Sequence, residues 1–90
     1  MKSRKEVAQE WQKRGFSCGL WTDDAGQKWE NFTHEADELV MVIEGDVEFE
    51  FDSCVYHPQV GEELLIPAKS CHSVRNIGKT TAYWLFGYKI

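Results

Sequence analysis

The fold is decided by the stretch HEADELVMVIEGDVEFEFD, residues 34–52. Its second half alternates between apolar and acidic residues, so valine and phenylalanine fall on one side of an extended chain and carboxylates on the other. This period of two predicts a β-strand over 46–52 with one buried and one wet face. Gly45 and Asp46 suit a tight type II′ turn, which predicts a hairpin with a preceding strand over 38–44.

The first strand of this predicted hairpin is apolar on both faces. Val40 and Val42 lie on one face, whereas Leu39, Met41 and Ile43 lie on the other. A strand with two dry faces lies between two layers, so a further element must cover the outside of the sheet. The N-terminal helix or a second copy of the chain could provide that cover, and we favour a homodimer.

Outward from this stretch, the chain is predicted to be almost entirely β. Further short β-prone segments, separated by turn-forming residues, are expected at 16–22, 27–33, 54–57, 63–66, 71–76 and 80–88. The exception is a helix over 3–14, where Ser3 and Glu6 have the spacing of a capping box; a frayed arm is the alternative, because so short a helix is marginal alone. We predict a single all-β domain over 1–90, with a sandwich or barrel over 16–90.

Composition narrows the classes of function. The chain has 10 Lys and Arg against 15 Asp and Glu, and half of the basic residues lie in the first fourteen positions. Nucleic-acid binding needs a concentrated basic face, and a membrane-spanning helix needs about 20 apolar residues, so neither partner is expected. Three cysteines without a CxxC pair, and no secretory signal, predict a cytoplasmic protein with reduced thiols.

Two histidines and one carboxylate carry the candidate chemistry. His34 and Glu38 are four residues apart, so on an extended chain they face the same way as Val40 and Val42. If His72 joins them in an apolar interior, the three form the ligand set of a divalent metal ion with open coordination positions. The alternatives are an ordinary loop histidine at His34 and a solvent-facing Glu38, since a buried carboxylate without a partner costs several kcal/mol.

The spacing of these residues resembles that of the cupin superfamily, whose motifs are G-x5-H-x-H-x3,4-E-x6-G and G-x5-P-x-G-x2-H-x3-N. Part of the first motif is matched by His34-x3-Glu38-x6-Gly45. Every spacing of the second is kept in Gly61-x5-Pro67-x-Lys69-x2-His72-x3-Asn76. The resemblance implies a small double-stranded β-helix, the cupin jelly-roll barrel. It also implies a divalent metal ion (Fe, Mn, Ni or Zn) held by His34, Glu38 and His72.

Two positions depart from the cupin motifs. Phe32 stands where the first motif has its first histidine, and Lys69 stands where the second has a glycine. Phe32 removes a nitrogen donor, although three ligands still suffice for a facial site with open positions. Lys69 must adopt or avoid the left-handed conformation that is usually given to glycine.

Neighbours of the predicted site are assigned no ligand role. Cys71 adjoins His72, and successive strand residues face opposite ways, so we expect a buried thiol outside the site. Glu35 and Asp37 are expected to face solvent, with a role in supporting the ligands or transferring protons as the alternative. Asn76 is expected to bond backbone groups of the following turn rather than a ligand.

Two functions are consistent with this reading. The first is a metal-dependent enzyme, such as a dioxygenase or isomerase, acting on a small-molecule ligand that is compact and partly apolar. The second is a metal-free cupin that binds a small ligand or dimerises, which Phe32 favours. Arg75 is the only arginine beyond the predicted helix and is expected to point away from His72, so a phosphate-bearing ligand is not expected.

Overall fold

One helix and eight strands make up residues 2–90, the part of the chain that this computed structural model describes. Their bounds are α1 Arg4–Lys13, β1 Gly19–Asp23, β2 Lys28–Phe32, β3 Glu38–Glu44, β4 Val47–Phe51, β5 Cys54–Tyr56, β6 Glu63–Ile66, β7 His72–Asn76 and β8 Ala82–Tyr88. The predicted all-β class with a short N-terminal helix is therefore confirmed.

The strands form two four-stranded antiparallel sheets, in the orders β1-β8-β3-β6 and β2-β7-β4-β5. Their facing sides enclose a core in which Val40, Val42, Val47 and Phe49 are fully buried. The alternation predicted for β4 is observed, because its valine and phenylalanines are buried and its glutamates are not. This arrangement is the jelly roll that the cupin resemblance implies.

The predicted hairpin at Gly45 is wrong. Gly45 does have a positive φ of 97°, but β3 and β4 lie in different sheets and do not pair. Both edges of β3 are occupied by β6 and β8, so the turn instead carries the chain from one sheet to the other. A true hairpin joins β4 to β5, where Asp52 and Ser53 have φ of 54° and 61°, as a type I′ turn requires.

Helix α1 begins and ends as its sequence predicts. The Ser3 hydroxyl accepts the backbone N–H of Glu6, whose carboxylate accepts the backbone N–H of Ser3 in return. After the last helical turn, Gly15 reverses the chain with a positive φ of 86°. No helix within residues 2–90 is long and apolar enough to cross a membrane.

Helix α1 covers the outer face of β3. Val7 and Trp11 are buried in a second apolar cluster together with Leu39 and Met41 of β3. The Trp11 indole N–H donates to the Glu63 carboxylate of β6 at 2.9 Å, which fixes the helix against the sheet. Of the two covers considered for β3, the helix is the one observed. The homodimer stays a prediction, but the apolar outer face of β3 that led to it is covered by α1.

The segment that leaves α1 pairs with the far end of β8. The Ser17 backbone N–H donates to the Tyr88 carbonyl at 3.0 Å, and the Tyr88 N–H donates to the Ser17 hydroxyl at 2.9 Å. A Cβ on Gly87 would collide with the Ser17 carbonyl and the Trp11 ring, so glycine is required where the segment crosses the strand. These contacts set the position of Tyr88.

Candidate metal centre

A cavity of about 370 Å³ opens between the two sheets. Most of its wall is aromatic, contributed by Trp21, Trp29, Phe32, Trp84, Phe86 and Tyr88. Its polar lining residues are Glu30, whose carboxylate is bonded to Arg75, and His34, Glu38 and His72. Glu38 and His72 are buried, with relative exposures of 4% and 2%, so the deep part of the cavity is where polar chemistry is concentrated.

The structure brings together the three residues that the sequence nominated. One ligand atom from each of His34, Glu38 and His72 lies within 4.8 Å of the other two. Glu38 Oε1 is 3.5 Å from His72 Nε2 and 3.8 Å from His34 Nε2. Glu38 therefore faces the cavity, and His34 is not an isolated loop histidine.

Strand register explains why two of these side chains meet. Glu38 lies on β3, directly opposite Tyr88 of β8. His72 lies on β7 of the other sheet, directly opposite Phe32 of β2. Residues opposite each other on antiparallel strands share a face, so each pair points inward and the two sheets present the pairs to one another.

His34 belongs to the segment between β2 and β3, and a neighbouring turn holds it in place. The Lys69 backbone N–H donates to the His34 carbonyl at 2.7 Å. Lys69 has a positive φ of 65°, so it adopts the left-handed conformation of the glycine it replaces. Asp37 is half-buried rather than fully solvent-facing, and its carboxylate accepts the Ala68 N–H at 2.8 Å, which ties the same two segments together.

The tautomer of His72 follows from its second ring nitrogen. Nδ1 lies 3.1 Å from the Ser70 carbonyl, which can only accept a hydrogen bond. The Nδ1 proton therefore donates to that carbonyl, which leaves a lone pair on Nε2, pointed at Glu38. Metal-ligating histidines are oriented in this way by a partner for the nitrogen that does not bind the ion.

Two buried polar atoms of the cluster lack hydrogen-bond partners within residues 2–90: Glu38 Oε1 and His72 Nε2. Burial raises the pKa of Glu38 from 4.5 to about 7. Burial and, to a smaller extent, the neighbouring His72 lower the pKa of His34, which favours its neutral form. A divalent cation would satisfy both orphaned atoms and compensate the carboxylate charge, so this donor set fits such an ion.

Tyr88 is a member of the cluster that the sequence analysis missed. Its hydroxyl oxygen lies 3.2 Å from His34 Nε2. On the opposite side, the Phe32 ring packs on the His72 ring with centroids 4.3 Å apart and offers no donor atom. Alternation along β8 puts Tyr88 on the same face as Trp84 and Phe86, but the sequence alone does not give the register that places it beside Glu38.

Asp23 was also missed, because its sequence neighbours indicate a turn. It ends β1 with a relative exposure of 2%. Its carboxylate accepts the indole N–H groups of Trp21, Trp29 and Trp84 at 2.9, 2.8 and 3.0 Å. One buried carboxylate thus accepts the indole N–H groups of all three tryptophans in the cavity wall. In this way it orients half of the aromatic side chains that line the cavity.

The role predicted for Asn76 is confirmed. Its Nδ2 donates to the carbonyls of Asp23, Asp24 and Thr80, and its Oδ1 accepts the Gly78 N–H. The side chain joins the turns at one end of the molecule and does not line the cavity.

Two other expectations have different outcomes. The prediction that the Cys71 thiol is buried is wrong, because this cysteine is exposed. The prediction that it lies outside the cluster is confirmed. Arg75 points away from the cavity as expected. Its guanidinium lies on the outer face of its sheet, where it pairs with Glu30, Glu48 and Glu50 at 2.9, 2.9 and 2.7 Å.

Comparison with known proteins is consistent with this geometry. The family model described as "Cupin domain" matches residues 19–88. No protein with curated annotation matches the chain in sequence.

Solved structures with a similar fold share little sequence with the chain. The cupin domain of Schizosaccharomyces pombe Cnp3 superposes with a TM-score of 0.76 at 16% identity, over 83% of this chain and 56% of that one. The Cupin_2 domain of an XRE family transcriptional regulator from Enterobacter cloacae gives a TM-score of 0.76 at 20% identity, over 89% and 87%. The plu4264 protein of Photorhabdus luminescens gives 0.75 at 20% identity, over 84% and 63%.

At these identities the superpositions establish the fold alone, and the chain spans little more than half the length of the Cnp3 domain. The family model, in contrast, covers both motifs and all of the sequence except residues 1–18 and 89–90. The chain belongs to the cupin family.

Proposed function

We propose that the protein holds a divalent metal ion through His34, Glu38 and His72, and that the bound ion acts on a small molecule in the adjoining cavity. The observation that carries this proposal is the pair of orphaned buried atoms, Glu38 Oε1 and His72 Nε2, 3.5 Å apart. An unpaired buried carboxylate and an unpaired buried imidazole are each costly, and a shared cation relieves both costs.

The donor types restrict the ion to a few candidates. Two imidazole nitrogens and one carboxylate suit Fe, Mn, Ni or Zn, and three protein ligands leave positions open for other molecules. When bound, such an ion supplies Lewis acidity or, as iron, a site for dioxygen. The protein's part is to favour the neutral imidazole of His34 through burial, and to direct Nε2 of His72 at the site through the contact of Nδ1 with the Ser70 carbonyl.

The residues that line the cavity limit the chemical class of small molecule that can bind. Three indole N–H groups are already bonded to Asp23, so the tryptophans offer it ring surface rather than hydrogen-bond donors. No lysine or arginine is among the described residues that line the cavity, which disfavours a phosphate-bearing ligand. We propose a compact, largely apolar substrate with one polar end directed at the ion, in an oxygenation, an isomerisation or related metal-assisted chemistry.

Elemental analysis after purification without chelator tests the metal proposal. The wild type should carry close to one metal ion per chain, and His34→Ala and His72→Ala should each lose it. His57→Ala is the matched control, because His57 is exposed and outside the cluster. Trace metal in the wild type that His72→Ala leaves unchanged would contradict the proposal.

A second candidate, a metal-free cupin that binds a small ligand, is favoured by one observation. With its pKa raised to about 7, Glu38 can hold a proton at neutral pH and share it with His72 Nε2. The absence of a donor atom at Phe32 also favours the metal-free candidate. A ligand that binds equally well to chelator-treated and metal-loaded protein would favour this candidate.

A cytoplasmic location is part of the proposal. Three cysteines are free, and two of them, Cys54 and Cys71, are exposed. Exposed free thiols are typical of proteins kept in a reducing compartment.

A further inference from the structure

The candidate centre is asymmetric, because one of its two inward-facing strand pairs offers one donor and the other offers two. On one sheet His72 faces Phe32, which has no donor atom. On the other sheet Glu38 faces Tyr88, whose side chain ends in a hydroxyl. Phe32 therefore offers the centre no nitrogen donor, whereas Tyr88 offers a hydroxyl oxygen from the opposite wall.

The position of the Tyr88 hydroxyl matches the spacing of two ligands on one ion. Two donors at about 2.0–2.2 Å from a metal and at roughly a right angle are about 3 Å apart. The Tyr88 oxygen is 3.2 Å from His34 Nε2, which is closer than Glu38 Oε1 at 3.8 Å from the same nitrogen. Measured from His34, the Tyr88 oxygen is therefore at least as close to the cluster as the Glu38 carboxylate is.

The hydrogen bond between Tyr88 and His34 is incompatible with a metal on His34 Nε2. That nitrogen has one site, which a proton or a phenolic hydrogen bond occupies in the metal-free protein. When an ion takes the site, the Tyr88 hydroxyl loses the only hydrogen-bond partner that its oxygen has among the described residues. An ion held on His34 Nε2 would lie within reach of that oxygen and could satisfy it in place of the lost hydrogen bond.

The Tyr88 ring is held in place independently of its hydroxyl. Its backbone is bonded on both sides to Ser17, and its ring lies against the rings of His34 and Phe86, with centroids 4.7 and 5.9 Å away. The oxygen is therefore presented to the cluster by the fold rather than by the hydrogen bond alone.

We infer that Tyr88 is a fourth ligand of the proposed metal ion, supplying through its phenolic oxygen the donor that is missing at Phe32. The inference rests on the proposed function, since it requires an ion at His34, Glu38 and His72. As the oxygen–metal bond forms, the phenolic proton leaves to solvent and the phenolate remains on the ion.

Iron(III) loading tests this inference through a signal that catalytic activity does not supply. Phenolate bound to iron(III) gives a ligand-to-metal charge-transfer band in the visible spectrum, which imidazole and carboxylate do not. Protein loaded with iron(II) without oxygen and then oxidised in air should show this band in the wild type and lack it in Tyr88→Phe. Tyr83→Phe is the matched control, since Tyr83 lies on the same strand and does not line the cavity.

Zinc affinity provides the second readout, measured by competition with a chromophoric chelator. Tyr88→Phe should weaken zinc binding by about tenfold or more, at least the effect of losing an outer-shell partner. Tyr88→His, which restores a donor, should recover most of that loss while still lacking the band. This recovery also guards against a Tyr88→Phe variant that is merely misfolded.

The outcomes separate the two proposals. Metal-loaded wild type without a charge-transfer band would overturn the assignment of Tyr88 and leave the metal centre of His34, Glu38 and His72 in place. Wild type that binds no metal would overturn both. A band that persists in Tyr88→Phe would assign it to another group and overturn the inference alone.

Discussion

Asp23 accepts the indole N–H of Trp84 from the far side of the cavity wall, with 3.0 Å between Oδ2 and Nε1. Its other oxygen, Oδ1, accepts the N–H groups of Trp21 and Trp29 at 2.9 and 2.8 Å. The three tryptophans come from three different strands, so one side chain joins β1, β2 and β8 across both sheets. The shape of the cavity therefore depends on a residue that does not line it.

Replacing this carboxylate should damage both stability and the cavity wall. Asp23→Asn keeps the size of the side chain but leaves a single acceptor oxygen, so at least one of the three indole N–H groups loses its acceptor and faces the amide nitrogen instead. We expect a loss of about 2–3 kcal/mol in the free energy of unfolding. Urea denaturation measures that loss, and near-ultraviolet circular dichroism reports the reorientation of the rings.

The neighbouring Asp24→Asn is the matched control, because Asp24 is exposed and contributes only its backbone carbonyl to the network. Equal stabilities for the two variants would show that the carboxylate of Asp23 is not needed.

Stability of the chelator-treated protein should fall as the pH rises. Burial raises the pKa of Glu38 from 4.5 to about 7, so over this range the folded chain keeps a proton that the unfolded chain has released. The free energy of unfolding should decline by about 3 kcal/mol between these values and then level off. Urea titrations at a series of pH values measure this decline.

Glu38→Gln isolates this contribution, because glutamine cannot ionise. Subtraction of its profile also removes the opposite contribution of His34, whose pKa is lowered. A difference between the two profiles that stays constant across the range would contradict the assignment.

Restoring the histidine of the first cupin motif should strengthen metal binding. In Phe32→His an imidazole would stand directly opposite His72, where the phenylalanine ring now packs. We expect a gain on the order of tenfold in zinc affinity, comparable with what ligand-orienting partners contribute. Competition titration measures it.

Phe86→His serves as the comparison, since it places an imidazole in the same cavity but not opposite His72. If both variants bind zinc equally well, the position of Phe32 has no special relation to the ion.

A methyl group at Gly87 should separate the N-terminal segment from β8. Its Cβ would meet the Ser17 carbonyl and the Trp11 ring, neither of which can move without displacing the backbone or the helix. Gly87→Ala should lower the free energy of unfolding by about 3 kcal/mol, the upper part of the range for overpacking. Thermal denaturation measures the loss, and Gly78→Ala, whose Cβ would make ordinary or slightly tight contacts, should change little.

Local sequence patterns were sufficient for most of the elements and for two of the three nominated residues, His34 and Glu38. The alternation in β4, the capping box at Ser3 and the spacing of His34 from Glu38 are local features, and each is observed. His72 was identified from the second cupin motif. The spacing of that motif depends on a turn in which Lys69 has a positive φ.

Pairing between distant strands was not predictable in the same way. Alternation shows which face of β3 and β4 is buried but not which strand lies beside them, so the hairpin at Gly45 was predicted where the chain changes sheet. Tyr88 was missed for the same reason, because its role depends on His34, 54 residues away. Asp23 was missed because its neighbours indicate a turn, and one of its three partners, Trp84, is 61 residues away.

The paired hydrogen bonds between Ser17 and Tyr88 link the helix to the cluster. Helix α1 ends at Lys13, four residues before Ser17, and the Tyr88 side chain ends beside His34, so Tyr88 connects the segment that follows the helix to the polar cluster. Occupancy of the proposed metal site should then respond to events on the outside of the molecule. Displacement of the helix from the sheet would disturb the cluster proposed to hold the ion without any contact with the cavity.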